Sequence, residues 1–220
     1  MSLLCLLAAE PELLAGMAAP GDWLTPTEQA RFQSLGSTAR RDTFLAGRWL
    51  ARRAVQRWLQ VEVPPALAIA DSGACVVDGV PHVQVSISHS SGMVACAASD
   101  VPVGVDLERL GRPRDHLALA ETVHGIAQRE QLVALPAAAR ELPFLTWWTL
   151  KEAWLKARGR GLDFAQMRAL VFDDGDAQAD VAVTTMRDFV LAVACVEVLP
   201  LRMDGLPDAA WCRSRARLVP

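Results

Sequence analysis

Several features that sort proteins into classes are missing from this chain of 220 residues. Its five cysteines, Cys5, Cys75, Cys96, Cys195 and Cys212, are odd in number, scattered, and form no CxxC pair. That argues against a disulfide framework and fits reduced thiols in a cytoplasmic protein. The four histidines, His82, His89, His116 and His124, do not join them at zinc-site spacing. The apolar start, MSLLCLLAAEPELLAGMAA, has no basic leader and is interrupted by Glu10 and Glu12. A buried first strand is expected there, not a signal peptide. No apolar run approaches the roughly 20 residues that span a bilayer, so no membrane role is expected. There is no GxSxG elbow, no low-complexity tract and no short-period repeat. An excess of positive charge is also lacking: the formal net charge is -3, which speaks against a nucleic-acid partner.

What the chain does have is core. Hydrophobic residues make up 52% and charged residues 21%, the balance of a globular protein with one large domain or two small ones. Strands are expected at 3–9, in VQVSISHS and MVACAAS, and in VPVGVDLERL. Further strands are expected in ALVFDD, ADVAVTTM and FVLAVACVEVL. Helices are expected after Thr25, Pro26 and Glu28, over TARRDTFLAGRWLARRAVQRWLQ, over HLALAETVHGIAQREQLVAL, and over WWTLKEAWLKA. MVACAAS (Met93 to Ser99) echoes LAVACVE (Leu191 to Glu197), which hints at two similar α/β halves, 1–102 and 103–220. The tail PLRMDGLPDAAWCRSRARLVP carries no motif and reads as a surface-packed extension.

Four segments carry chemistry. In GVDLERL, strand alternation turns Asp106 and Glu108 to one face and Leu107 to the other. Two carboxylates about 7 Å apart suit a hard divalent cation such as Mg²⁺. The plainer alternative is a solvated strand edge neutralised by Arg109. In WWTLKEAWLKARGRGL, Leu150, Ala153, Trp154 and Ala157 form a buried stripe. Trp148, Glu152 and Lys156 lie opposite, with Lys151 and Leu155 beside them. Glu152 and Lys156 form an i,i+4 pair, or Glu152 serves as a third carboxylate for the metal. Gly159 and Gly161 end the helix. In VSISHSSG, Ser88, His89 and Ser90 suit phosphate oxygens or are turn residues. Along the long helix Arg41, Arg48 and Arg52 share a stripe, a phosphate-matching row or a solvated basic face. Together these parts suit transfer of a phosphate-bearing group.

Taken in order, the segments resemble the 4′-phosphopantetheinyl transferases of the long, surfactin-synthetase-activating type. Gly104, Val105, Asp106 and Glu108 match the family's (V/I)G(V/I)DxE. Trp148, Lys151, Glu152, Ala153, Lys156, Gly159, Gly161 and Leu162 match its WxxKEAxxKxxGxGL. SISHS (Ser86 to Ser90) and RRDTFLAGRWLARRAV match the upstream blocks. The resemblance implies an α+β fold, a pseudodimer of two similar α/β halves, each a small antiparallel sheet packed on helices. It implies Mg²⁺ held by Asp106, Glu108 and Glu152, and coenzyme A as substrate. It implies an apo acyl or peptidyl carrier protein whose serine is modified, with release of adenosine 3′,5′-bisphosphate. Glu152 would act as base, and Lys156 would neutralise the departing phosphate. Ser88, His89, Lys151 and Lys156 would hold coenzyme A phosphates, with Arg41 and Arg48, or Arg40, at the nucleotide end. A monomer is expected.

The match departs from the family at one turn. Many relatives carry Gly-(Lys/Arg)-Pro there, whereas here Gly73 is followed by Ala74 and Cys75. The alternatives are a non-catalytic carrier-protein or coenzyme A binding module on the same fold, which that departure supports, and a Mg²⁺-dependent phosphohydrolase of another fold.

Overall fold

The computed structural model describes residues 2–175, 177–200 and 203–219. It divides into two compact units. One comprises Met1–Val103 with Pro200–Pro207, and the other Gly104–Leu199 with Asp208–Pro220. The tail expected to lie wholly with the second half is thus shared, its first part, Pro200–Pro207, belonging to the first unit. Residues 201 and 202 lie outside the described set.

The first unit begins with β1 (Leu3–Ala9) and a short helix α1 (Glu10–Ala15) started by Pro11. Helix α2 (Pro26–Ser34) starts with a capping box: Thr25 and Glu28 satisfy each other's backbone donors. Helix α3 (Thr38–Leu59) is capped by Ser37, whose side chain accepts from the Arg40 amide, and ends at Gln60 in the left-handed region. Strands β2 (Leu67–Ile69), β3 (Cys75–Val77), β4 (Gln84–Ser90) and β5 (Met93–Ser99) complete an antiparallel sheet ordered β1-β5-β4-β3-β2. Helix α3 lies on it through Ala46, Leu50, Ala51, Ala54 and Val55, all buried with Val94, Cys96 and Ala98 of β5. Small residues on both elements allow that close packing.

The second unit opens with β6 (Val103–Arg109). Helices α4 (His116–Val123), α5 (Ile126–Ala134), α6 (Glu141–Ala157) and α7 (Phe164–Ala169) follow. Strands β7 (Leu170–Asp174), β8 (Val181–Met186), β9 (Phe189–Cys195) and β10 (Cys212–Leu218) give the order β6-β9-β8-β10-β7. The echo in the sequence has a structural counterpart. MVACAAS is β5 and LAVAC belongs to β9, each the second strand of its sheet and each packed by its unit's longest helix, α3 or α6.

Two expectations are corrected. The helix expected over residues 116–135 breaks at His124 and Gly125, which take extended angles. A Cβ at Gly125 would stand 2.7 Å from the Arg168 carbonyl oxygen, so the chain there is pressed against α7. The tail is not a surface extension. Strand β10 is inserted between β8 and β7, pairing Ser214 with Val181 on one side and with Asp174 on the other. Among the described residues no helix is long and apolar enough to cross a membrane, and the five cysteines are free.

Candidate active site

Glycine 104 sets the geometry of the second unit. A Cβ there would fall 2.0 Å from the Ala153 carbonyl oxygen and 2.6 Å from the Ala157 amide, so β6 rests directly on the backbone of α6. Residues of like parity on β6 share that face. Asp106, two residues on, therefore meets the helix: Lys156 Nζ donates to Asp106 Oδ1 at 2.5 Å. The same ammonium stands 3.5 Å from Glu152 Oε2, one helical turn back. Asp106 is buried and Glu152 nearly so, with its side chain 17% exposed. Glu108 is taken by Arg114 at 2.8 Å.

The electrostatics follow from this crowding. Burial first, and then the Asp106 carboxylate, push Glu152 up from 4.5 to about 7, with Glu108 adding to the rise and Lys156 opposing it. Burial works against the Lys156 ammonium, but Asp106 and Glu152 outweigh it and hold it above the usual lysine range. The cluster therefore joins a carboxyl that can exchange a proton near neutrality to a lysine that stays cationic.

The opening tryptophans of this helix serve its packing. Trp148 stacks on Phe144, Trp147 meets His124 edge-on, and Arg158 lies 3.8 Å over the Trp154 ring. The expected stripe of Leu150, Ala153, Trp154 and Ala157 is buried. After it, Gly159 takes a positive φ of 63° and lets the chain turn away. Lys151 and Leu155 depart from expectation: both are buried, not beside the exposed face. The Lys151 ammonium donates to the Val123 carbonyl oxygen at 2.9 Å and to Gln128 Oε1 at 2.7 Å, and meets His124 Nδ1 at 2.9 Å. Burial lowers Lys151 to about 7, and burial together with Lys151 lowers His124 to about 3. A sealed ammonium with three protein contacts has no side open to phosphate. Lys151 holds the α4–α5 corner, contrary to the phosphate contact that the resemblance implies.

In the first unit, a cavity of about 560 Å³ is lined by Arg31, Arg40, Thr43, Phe44, Arg48 and His89, among others. Gly47 admits Ile87 against the helix, 3.2 Å from where its own Cβ would be. The expected arginine stripe splits by role. Arg48 reaches the cavity with its Nε 3.7 Å from Glu28. Arg52 is buried in a two-pronged ion pair with Glu28, at 3.0 and 2.5 Å. Arg41 does not line the cavity: it donates to the Leu35 carbonyl oxygen and lies over Phe32, while its neighbour Arg40 faces the cavity. Ser88 and His89 are adjacent on a strand and so point to opposite faces. His89 shares the cavity face with Ile87, and Ser88 is buried on the other. The two cannot serve one ligand in that cavity. Arg31 and Thr43 were missed, although Thr43 lies one turn before Gly47 on the same helix.

Gly73 forms the turn between β2 and β3 with a φ of 84° and donates to the Ala70 carbonyl oxygen. Ala74 and Cys75 follow it, so the turn contributes no base.

No three Asp, Glu, His or Cys side chains among the described residues are gathered as a ready metal cluster. Lys156 bridges Asp106 and Glu152, and Arg114 engages Glu108. The donor chemistry nonetheless fits a hard divalent ion. All three are carboxylates, and their mutual repulsion raises Glu152.

Two α+β units, each a five-stranded sheet under a long helix, and a carboxylate–lysine cluster on the second define a class of protein, and comparison with known families agrees. The family model described as "4'-phosphopantetheinyl transferase superfamily" matches residues 102–195, and "4'-phosphopantetheinyl transferase N-terminal domain" matches residues 28–99. The chain belongs to the 4′-phosphopantetheinyl transferase superfamily. It is 34% identical over 108 residues to 4′-phosphopantetheinyl transferase psf-1 of Bacillus pumilus, covering 48% of this chain and 46% of that one. It is 30% identical over 144 residues to HetI of Nostoc, covering 63% and 61%, and 26% identical over 152 residues to Sfp of Bacillus subtilis, covering 63% and 67%. The match thus spans about half to two thirds of the length of these curated relatives.

Proposed function

We propose that this chain transfers the 4′-phosphopantetheine group of coenzyme A to a serine of an apo acyl or peptidyl carrier protein and releases adenosine 3′,5′-bisphosphate. The observation that carries this reading is the Glu152–Lys156–Asp106 cluster, which holds a near-neutral carboxyl beside a permanent cation. Glu152 takes the serine proton. The serine oxygen then bonds to the phosphorus nearest pantetheine, and the bond from that phosphorus to the bridging oxygen breaks. The Lys156 ammonium offsets charge on the departing phosphate. Asp106, Glu108 and Glu152 would hold Mg²⁺ once Lys156 and Arg114 yield their carboxylates. When bound, that ion neutralises diphosphate charge.

Arg48 and His89 are assigned to coenzyme A phosphates, with Arg40 in place of Arg41 and with Arg31 at the same cavity. These two further arginines offset the base missing beside Gly73. A monomer in the cytoplasm, acting on neither nucleic acid nor membrane, is the setting proposed.

The test is intact mass spectrometry of an apo acyl carrier and an apo peptidyl carrier after incubation with this protein, coenzyme A and Mg²⁺. A phosphopantetheine mass gain that disappears with Glu152→Ala is expected. No gain on either carrier, from folded protein that still binds coenzyme A, would favour the binding-module alternative.

A further inference from the structure

Helix α3 brings two buried arginines to one buried carboxylate. Glu28 is fully buried, and Arg48 and Arg52 are 6% and 3% exposed. Among the described residues neither arginine has a second carboxylate within ion-pair distance. Two cations on one anion leave a positive charge uncompensated, and burial makes that costly. The charge is open at the first-unit cavity, which Arg48 lines and Arg52 does not.

The two pairings are unequal. Arg52 Nη1 donates to Glu28 Oε1 at 3.0 Å and Arg52 Nη2 to Oε2 at 2.5 Å, the parallel fork of a guanidinium on a carboxylate. The Thr25 amide and hydroxyl fill Oε2 further, at 2.9 and 3.0 Å. Arg48 Nε stands 3.7 Å from Oε1, beyond hydrogen-bond reach. Arg52 is itself fixed: Nη2 donates to the Trp23 carbonyl oxygen at 3.0 Å, and the guanidinium lies 4.7 Å from the centre of the Trp23 ring. Arg48 has looser contacts, the Ala68 carbonyl oxygen at 3.5 Å and the Phe44 ring at 5.4 Å, and neither group is charged. Cys75 also hydrogen-bonds Arg48, but burial pushes its thiol up, so it stays neutral and compensates nothing.

We infer that Arg52 is a positioning residue for the anion site: by engaging Glu28 it keeps the Arg48 guanidinium uncompensated at the cavity, where it meets a phosphate. This rests on the assignment of Arg48 to coenzyme A above and adds the residue that makes Arg48 available. Glu28 has its own structural task, because it closes the capping box of α2 with Thr25. Left alone beside Arg48, its carboxylate would compete with a phosphate for the same guanidinium. Arg52 removes that competition without touching the ligand.

The test measures coenzyme A affinity by calorimetry, below the thermal midpoint of each variant. Arg53→Gln, at an exposed position of α3, removes one positive charge as a control and should leave affinity unchanged. Arg52→Gln frees Glu28 for Arg48, so its Kd should be roughly tenfold weaker, as in Arg48→Gln. Because Arg52 acts through Arg48, Arg48→Gln/Arg52→Gln should be no weaker than either single variant. Arg52→Lys keeps the charge and should retain most of the affinity. Glu28→Gln/Arg52→Gln removes the competing carboxylate with its partner, while glutamine keeps the capping box, so affinity should return to within about twofold of wild type. Lost packing alone cannot give that reversal, and this neutral pair decides the matter if Arg52→Gln does not fold. Full affinity in Arg52→Gln beside a loss in Arg48→Gln overturns the inference and leaves the coenzyme A reading intact. So does an additive loss in Arg48→Gln/Arg52→Gln, or weak binding that persists in Glu28→Gln/Arg52→Gln. Full affinity in Arg48→Gln, or no binding by wild type, overturns the assignment of Arg48 to coenzyme A and the inference with it.

Discussion

Glu152 is the side chain on which the chemistry turns, and its environment gives it a measurable signature. Its carboxyl binds a proton more tightly in the folded chain, at about 7, than its ordinary 4.5. The stability tied to that proton is therefore present at low pH and is lost as pH rises toward and through about 7. In metal-free protein, Glu152→Gln should raise unfolding stability at pH 8 by on the order of 1–3 kcal/mol and much less at pH 5. A denaturant series at both pH values decides it, and a gain equal at the two would show that Glu152 is not protonated near neutrality. The same substitution should lower transfer by roughly 10²-fold or more, as loss of a general base does. Mg²⁺ addition at pH 6.5 should also release a proton, because a bound cation favours the carboxylate. Calorimetry in buffers of different ionisation enthalpy reads that release, and its absence would take Glu152 out of the ligand set. His89 offers a cleaner test of the first-unit cavity. It is exposed, so His89→Ala should keep the fold while weakening coenzyme A binding roughly tenfold. Unaltered affinity would place the nucleotide elsewhere.

The contact between β6 and α6 is the element-level device that builds the cluster. Glycine is required at 104 because the α6 backbone occupies the space of any side chain. Gly104→Ala must push strand from helix. It should destabilise the second unit by about 3 kcal/mol or more, in the manner of an overpacked core. It should also impair transfer beyond that loss, since Asp106 and Lys156 separate. Thermal unfolding and the rate measured well below the transition test both. The DxE spacing and the lysine–glutamate pair were readable from strand and helix periods. The fate of Lys151 was not. Its place on the helical wheel lies at the border of the exposed face, and its burial depends on the α4–α5 corner, where Gln128, His124 and the Val123 carbonyl close over it. The break in that corner is set in turn by Arg168 pressing on Gly125. Neither contact leaves a local mark in the sequence except a glycine.

In the chain as a whole, the C-terminal segment is structural. Among the described residues, strand β10 is the link between β8 and β7 in the sheet order, and β7 has no other strand beside it. Ending the chain at residue 207 should strip β7 of its ladder and also remove the Ala216 amide that Asp180 accepts at 2.7 Å. The buried Asp180 would then lose a partner along with the core contact of Ala216. The expected outcome is loss of amide protection across β7 and β8 in hydrogen exchange, with β4 and β5 still protected. Uniform protection in the truncated chain would return the tail to the role of a surface extension.

Periodicity and short motifs in the sequence were enough to indicate the carboxylate pair on one strand face and the glutamate–lysine pair one helical turn apart. Each of these depends on residues two to four apart, where backbone geometry alone fixes which side chains meet. Folding in three dimensions settled the rest: that Arg52 neutralises buried Glu28 while Arg48 reaches the cavity, that Ser88 and His89 part company, that Lys151 is sealed, and that the last strand completes a sheet. Those outcomes hang on partners 20 or more residues away. The physical reason is that burial and charge pairing are set by what packs across a side chain, which local sequence does not encode.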